Sequence, residues 1–589
     1  MWMDRLDQAI ARTRDHLLSL MNAEGRWEGE LSSSALSTAT AVVALSLVDT
    51  AAHASFIHAG ARWLELHQNK DGGWGDTTLS KSNLSTTLLC WAALGRVSGD
   101  AMTVQRCEAW ITVVVGSLDP DQIARAVISR YGKDKTFSVP ILMMATLGGR
   151  LGPNAWRRVL ALPFELAVFP RKWFGAIGLP VVSYALPALI AIGHARFYHA
   201  PPPRWSPLYW IRRWAWTKVR PMLTELHPSS GGYLEATPLT SFVTMALAGA
   251  GEKHHPCVPK AVEFLQHSMR PDGSWPIDTN LAIWGTTLSI KALGDDLSHS
   301  HKQALKGWLL GRQYTVVHPF TNAAPGGWAW TDLPGGVPDA DDTAGTLVAL
   351  WHLCESETER QALKPQARAG VRWLLDLQNR DGGMPTFCRG WGTLPFDRSS
   401  PELAAHALWA WGLWKDTVPQ AAINAAVKYL RKVRLKGSGA WEPLWFGNEH
   451  TTGEANPVYG TAQVLNGLFG AGFDLSEPWI KPSIGWLLTQ QHAEGGWGGA
   501  EGVVPSLEET SVAVKVLAQS SSVDPAVLEA IRRGVDWLLD ATRDGTTFPA
   551  APIGLYFARL WYYETLYPVI WTLGALKAAR DICYLRADV

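Results

Sequence analysis

The chain has no surplus of charge. Lys and Arg number 53, Asp and Glu also 53, and the isoelectric point is about 7.3. A nucleic-acid partner would find no basic footprint. Cysteine is scarce and scattered: Cys90, Cys107, Cys257, Cys354, Cys388 and Cys583 form no CxxC pair. That argues against a zinc cluster and fits reduced, mostly buried thiols. There is no apolar leader, because Met1 to Met21 is charged and amphipathic. No run spans a membrane either. The nearest, Phe174 to Ile192, is interrupted by Pro180 and Pro187 and by glycines, and reads as buried helix. The period-2 alternation of strands is missing too. What remains is an all-α chain of 589 residues, long enough for more than one domain.

Tryptophan, by contrast, is abundant. A core does not need 31 indoles, so some are expected to line a cavity. Many fall in a repeat in which an aromatic-Leu pair is followed eleven residues on by a second aromatic, after a Gly turn. The copies are Trp63-Leu64 to Trp74, Phe264-Leu265 to Trp275, Trp486-Leu487 to Trp497 and Trp537-Leu538 to Phe548. Trp373-Leu374 leads to Met384 at the same distance, Tyr429-Leu430 to Trp441 one residue further, and His16-Leu17 to Trp27 as a degenerate first copy. Gln68, Gln378 and Gln491 recur beside the turns. Each turn is followed by a run rich in Ala, Leu and Val, as in Leu84–Leu94, Leu403–Trp414 and Glu509–Leu517. Helix pairs of this kind bury their faces only by stacking on neighbours. Periodicity alone allows an open solenoid or a closed barrel; the irregular spacing fits closed double rings of helices better.

The stretch with most chemistry is Pro338-Asp339-Ala340-Asp341-Asp342-Thr343-Ala344, which a Gly/Pro-rich loop delivers to the start of an apolar helix. Asp339 or Asp341 is expected near the cap. Three carboxyls so close cannot all ionise cheaply, so at least one should keep its proton. The helix N-terminus and a nearby cation would hold the others ionised. Such a cluster can protonate a base as weak as an alkene. A capping cluster or a divalent-metal site would use the same residue types.

The segment Arg204–Arg220 has five cations, five aromatics and no acid. Cations and indoles at helical spacing suit a lipid interface. An interdomain helix with aromatics in the core is the other reading.

The Gln- and Trp-marked repeat together with Asp-x-Asp-Asp-Thr-Ala resembles the squalene–hopene cyclase family of class II terpene cyclases, over essentially the whole chain. The resemblance implies two α/α-barrel domains, each a double ring of helices, with a large apolar cavity between them. Residues 1–27 and 280–589 would form the catalytic domain, and 28–279 the inserted one. It also implies Asp341 as the general acid, flanked by Asp339 and Asp342. His406, in Glu402-Leu403-Ala404-Ala405-His406, would activate it, with Glu402 where the family usually has Asp. Trp284 matches a cavity-wall Trp, although Gly285 stands where the family has Asp. By the same resemblance Trp330, Phe387, Tyr184, Trp445, Tyr459, Tyr556 and Tyr563 take aromatic cavity positions.

Protonating a trisubstituted alkene gives a tertiary cation that successive double bonds attack. The family therefore needs dry aromatic walls, each stabilising a cation by about 0.5–2 kcal/mol, and no metal or cofactor. The implied partners are a linear polyprene such as squalene, the cytoplasmic face of a membrane and, at most, a second copy of the chain. A hydroxylated squalene, a diterpenyl diphosphate or a prenylated aromatic are the other substrates, and a non-catalytic α/α barrel is the third class. The four-residue acid motif favours an unoxidised alkene over an epoxide. Three departures surround the expected cavity. Leu31–Thr40 has no counterpart of a family Glu, the loop Cys388–Ser400 is short, and Phe548–Tyr563 carries extra residues.

Overall fold

The computed structural model describes residues 2–179, 182–520, 524–555 and 559–587. It is helical, with a two-residue ribbon, Ser33–Ser34 paired antiparallel to Trp275–Pro276. Six helices close one ring: Ala282–Leu293, Ala340–Leu353, Pro401–Leu413, Pro457–Gly470, Leu507–Gln519 and Tyr567–Ala587. Each packs on the next, and the last returns to the first. A second ring is made by Ala35–Asp49, Leu84–Arg96, Lys135–Leu147, Val182–His199 and Thr237–Gly249. Outer helices pack on the ring helices, among them Trp2–Ser19, Glu357–Leu377 and Pro525–Ala541.

The difference between inner and outer helices is written in their side chains. Ala35–Asp49 is buried on nearly every face, whereas Glu357–Leu377 buries one stripe and exposes its charges. Two cores result. One gathers Leu6 to Leu31 with Ile283 to Ile582, the other Ala35 to Trp275.

The repeat has a physical cause. In each full Trp copy the indole N–H closes the end of the preceding outer helix by donating to the Leu carbonyl. Trp27 reaches Leu17, Trp74 reaches Leu64, Trp275 reaches Leu265, Trp441 reaches Leu430 and Trp497 reaches Leu487, all at 2.6–2.9 Å. The backbone N–H of the same Trp is held by a Thr hydroxyl of an inner helix, Thr87 for Trp74 and Thr510 for Trp497. Gln68, Gln378 and Gln491 each donate from Nε2 to the turn glycine and to a carbonyl of the next outer helix. One tie thus serves helix end, turn and next helix. Replacing Trp497 by Phe keeps the ring and orphans the Leu487 carbonyl. An unpaired buried acceptor costs about 1–3 kcal/mol, and a lowered thermal midpoint of the variant is the expected result.

The reading of Phe174–Ile192 as buried helix needs correction. A short helix, Arg171–Ala176, followed by Gly178 in the left-handed region, buries no residue and leaves Trp173 61% exposed. Burial begins only in Val182–His199, with Tyr184, Leu186 and Ile190. Among the described residues no helix is long and apolar enough to cross a membrane.

Candidate active site

Asp339 is the N-cap of Ala340–Leu353, accepting the Asp342 N–H at 2.9 Å. Such caps are worth about 1 kcal/mol. The loop before it is clamped on both sides: Asp339 N–H donates to Trp328 O, and Ala340 N–H to Thr386 O. Trp328 in turn closes its own helix by donating to Leu309 O at 2.7 Å. The acid motif therefore sits on a repeat tie, which fixes where its side chains point.

The three carboxyls divide by environment. Asp339 and Asp342 are 3% and 5% exposed, and each keeps one buried oxygen without a hydrogen-bond partner. Burial raises both pKa values; the charge of Asp341 adds to the rise at Asp339, against hydrogen bonds from Asp342, and the charges of Asp339 and Asp341 add to it at Asp342, so this pair holds protons that free carboxyls would lose. Asp341 has the more open side chain, at 22%. Its Oδ1 lies 2.5 Å from His406 Nδ1. Burial lowers the His406 pKa, with Lys291 adding to this and Asp341 opposing it. An imidazole N–H facing Asp341 stabilises the carboxylate left when the proton departs.

Glu402 does not touch Asp341 or His406 through a hydrogen bond. Its Oε1 accepts the N–H groups of Leu444, at 2.8 Å, and Trp445, at 3.3 Å. Burial raises its pKa to about 7. It holds the 444–446 strand of chain in place, a positioning role.

The aromatic candidates form two groups. Phe387, next to Thr386, is the hub of the first, with ring centroids 4.9 Å from Tyr184, 6.2 Å from Trp330 and 5.9 Å from Trp445. Tyr184 also donates to Phe387 O at 3.1 Å, and Trp445 Nε1 donates to Thr386 Oγ1 at 2.5 Å. Tyr184 therefore lies against Phe387. The second group is Trp284, Tyr459, Phe446, Tyr567 and Trp571. Trp284 stands edge-on to His406 at 6.4 Å and donates to Tyr567 Oη at 3.0 Å. Tyr567 stacks on Trp571 at 4.8 Å, and Tyr459 lies 5.8 Å from Trp571.

At the C-terminal cluster only one of the expected pair can be placed. Tyr556 lies outside the described residues. Tyr563 is half-buried and pairs by its backbone with Ser32. The rings that reach the second group are Tyr562 and Tyr567, whose hydroxyls are 3.3 Å apart. Both are buried, and alternation along the extended stretch before the last helix turns Tyr562 inward and Tyr563 away. An apolar pattern of that stretch was the available signal.

Two cavities flank the acid loop. One runs inside the six-helix ring and is lined by Asp341, His406, Trp284 and Tyr459, then by Lys291, Lys515, Gln463 and Asn466. The other lies between the rings, with Tyr184, Phe387 and Cys388 beside Arg171, Lys172 and Asn322. A carboxyl with an imidazole partner, beside aromatic faces about 5–6 Å from one another, can deliver a proton and shield a cation.

The chain is similar to known proteins over most of its length. The family model described as Squalene-hopene cyclase C-terminal domain matches residues 280–580, and that described as Squalene-hopene cyclase N-terminal domain matches residues 10–185. Squalene–hopene cyclase of Alicyclobacillus acidocaldarius is 26% identical over 97% of this chain and 98% of its own length. Enfumafungin synthase efuA of Hormonema carpetanum is 28% identical over 49% of this chain, which covers only 24% of that larger protein. Among solved structures, ent-copalyl diphosphate synthase from Streptomyces platensis superposes with a TM-score of 0.59 at 19% identity, over 98% of this chain and 99% of that one.

Proposed function

The chain belongs to the squalene–hopene cyclase family, and from that premise we propose that it protonates the terminal alkene of a linear polyprene, squalene first, and cyclises it to a polycyclic triterpene of hopene type. The observation that carries this reading is the Asp341–His406 contact at 2.5 Å, with Trp284 edge-on to His406 and Phe387 next to Thr386, whose carbonyl holds the Ala340 N–H of the acid loop. Asp341 gives its proton to the alkene. The Nδ1–H of His406 stabilises the carboxylate left on Asp341, and the ring faces lower the energy of each cation in turn. A prefolded chain reacts faster because its conformational entropy is already lost. In this reading residues 1–27 with 280–589 are the catalytic domain and 28–279 the inserted one.

A diterpenyl diphosphate is the second reading. Arg171 and Lys172 line the cavity that also holds Tyr184 and Phe387, and an anionic substrate end would suit them. Parallel incubations of purified protein with squalene and with geranylgeranyl diphosphate, followed by mass spectrometry of the extracted products, separate the two. A cyclic C30 product supports the first reading. Turnover of the diphosphate alone overturns it.

The proposed function includes attachment to the cytoplasmic face of a membrane, since the substrate is a lipid. Pro207–Glu225 turns Arg212 inward onto Glu165 and pairs Arg220 with Glu252. Trp210 and Trp214 are 56% and 54% exposed, Trp205 more so. Trp173, Ile177 and Trp391 are exposed too, Trp391 donating to Ile177 O at 3.0 Å. Indoles at a headgroup boundary beside Arg213 and Lys218 hold a protein to lipid without a span. Trp210→Ser with Trp214→Ser should move the protein from the vesicle-bound to the soluble fraction in a flotation assay. Full retention would count against the attachment.

A further inference from the structure

The Asp341 contact uses one nitrogen of His406. The other, Nε2, lies 3.4 Å from the Nζ of Lys291. Lys291 projects from Ala282–Leu293 into the lumen of the six-helix ring, where that helix otherwise offers Trp284, Leu288 and Ala292. A cation among such residues is costly unless something uses it. Its ammonium sits 5.8 Å from the Trp284 ring centroid and 5.5 Å from that of Trp409. Among the described residues no carboxylate lies within ion-pair distance of it. The charged or titratable groups that face it or line the same lumen are Asp341, Asp342 and His352 from Ala340–Leu353, Glu402 and His406 from Pro401–Leu413 and Lys515 from Leu507–Gln519. Pro457–Gly470 contributes only the neutral Gln463 and Asn466 beside Tyr459, and Tyr567–Ala587 contributes Trp571 and Gly574.

An ammonium group has three donors and no acceptor, so a contact with Nε2 requires the lone pair of that nitrogen. The single proton of a neutral imidazole must then be on Nδ1. We propose that Lys291 is a positioning residue for the acid: it donates to Nε2 of His406, fixes the Nδ1–H tautomer, and so aims a donor at Asp341 Oδ1 before the proton leaves. The inference rests on Asp341 being the acid. Once Lys291 becomes a neutral amine it can also accept. The Nε2–H tautomer is then allowed, and Asp341 faces a lone pair. Burial lowers the Lys291 pKa to about 8, and Lys515 adds to the shift. The protonated form is the active one, so the rate falls as pH rises through that value.

The test uses the full chain labelled with 15N at histidine. Long-range proton–nitrogen spectra, with His406→Gln for assignment, report the tautomer. Wild-type protein at neutral pH should show His406 with its proton on Nδ1, and Lys291→Met should lose that preference. In turnover, Lys291→Met should lower kcat roughly 10–100-fold, the loss usual for partners that orient a reactive group. KM should hold, and the alkaline limb of the pH profile should vanish. Lys515→Met should move the limb to higher pH, because a like charge is removed. Lys291→Met should melt no lower than wild type, since a lumen charge is gone, so unfolding does not mimic the result. A wild-type tautomer with a wild-type alkaline limb in Lys291→Met overturns the proposal. If no polyprene is turned over, the proposed substrate fails while the spectra still decide the role of Lys291.

Discussion

Asp341→Asn is expected to abolish cyclisation and leave the fold intact. Asparagine has the same shape and still meets His406, but its amide cannot give a proton to an alkene. A positioned general acid contributes about 10²–10⁴-fold, and the neighbouring carboxyls are engaged elsewhere. Asp339 and Asp342 keep theirs in a buried pair facing each other, and Glu402 is committed to the Leu444 and Trp445 amides. The thermal midpoint should hold, because the cap is made by Asp339 and not by Asp341. Turnover near the wild-type rate in a folded Asp341→Asn protein would sink the assignment of the acid. Assay by gas chromatography of extracted lipid, with circular dichroism of the same preparation, reads both halves.

Phe387→Ala should change what is made and not only how fast. The ring is in contact range of Tyr184, Trp330, Trp445 and Phe396, so its removal opens a gap at the centre of one aromatic group. A cation formed near it loses one stabilising face, and deprotonation then competes with the next ring closure. A loss of about 1.4 kcal/mol shifts a branching ratio about tenfold, within the span of one cation–π contact. Mono- and bicyclic by-products are the expected outcome. Since Tyr184 lies 4.9 Å from Phe387, changes at Tyr184 should overlap with this pattern. A uniform loss of rate with an unaltered product profile would show that Phe387 only packs the wall.

How much of this was legible depends on whether the signal was local. The Trp-to-Leu tie joins residues ten or eleven positions apart, so Trp74, Trp275, Trp441 and Trp497 stand out in the sequence. The same tie at Trp328 spans nineteen positions, because the turn after Leu309 is lengthened, and its periodicity disappears. The Asp339 cap was readable from residue type and from the apolar helix after it. The His406 contact crosses 65 positions and came only through resemblance. Lys291 and Lys515 had no local mark at all: each is one cation in an apolar helical run, and only closure of the ring turns both to one lumen. Tyr562 was passed over for Tyr563 because one residue of register decides which face of an extended stretch looks inward. Trp173 stays exposed on a six-residue helix that stops at Ala176, with Gly178 in the left-handed region just after its cap.

The most direct measurement is to incubate the purified protein with squalene in detergent made up in deuterated water and to analyse the product by mass spectrometry. Protonation of an alkene by Asp341 predicts a cyclic C30 product that carries one solvent deuterium at a carbon of the first ring formed, and none of it from Asp341→Asn. Squalene recovered unchanged by active-site-intact protein, or a cyclic product without deuterium, would contradict the account.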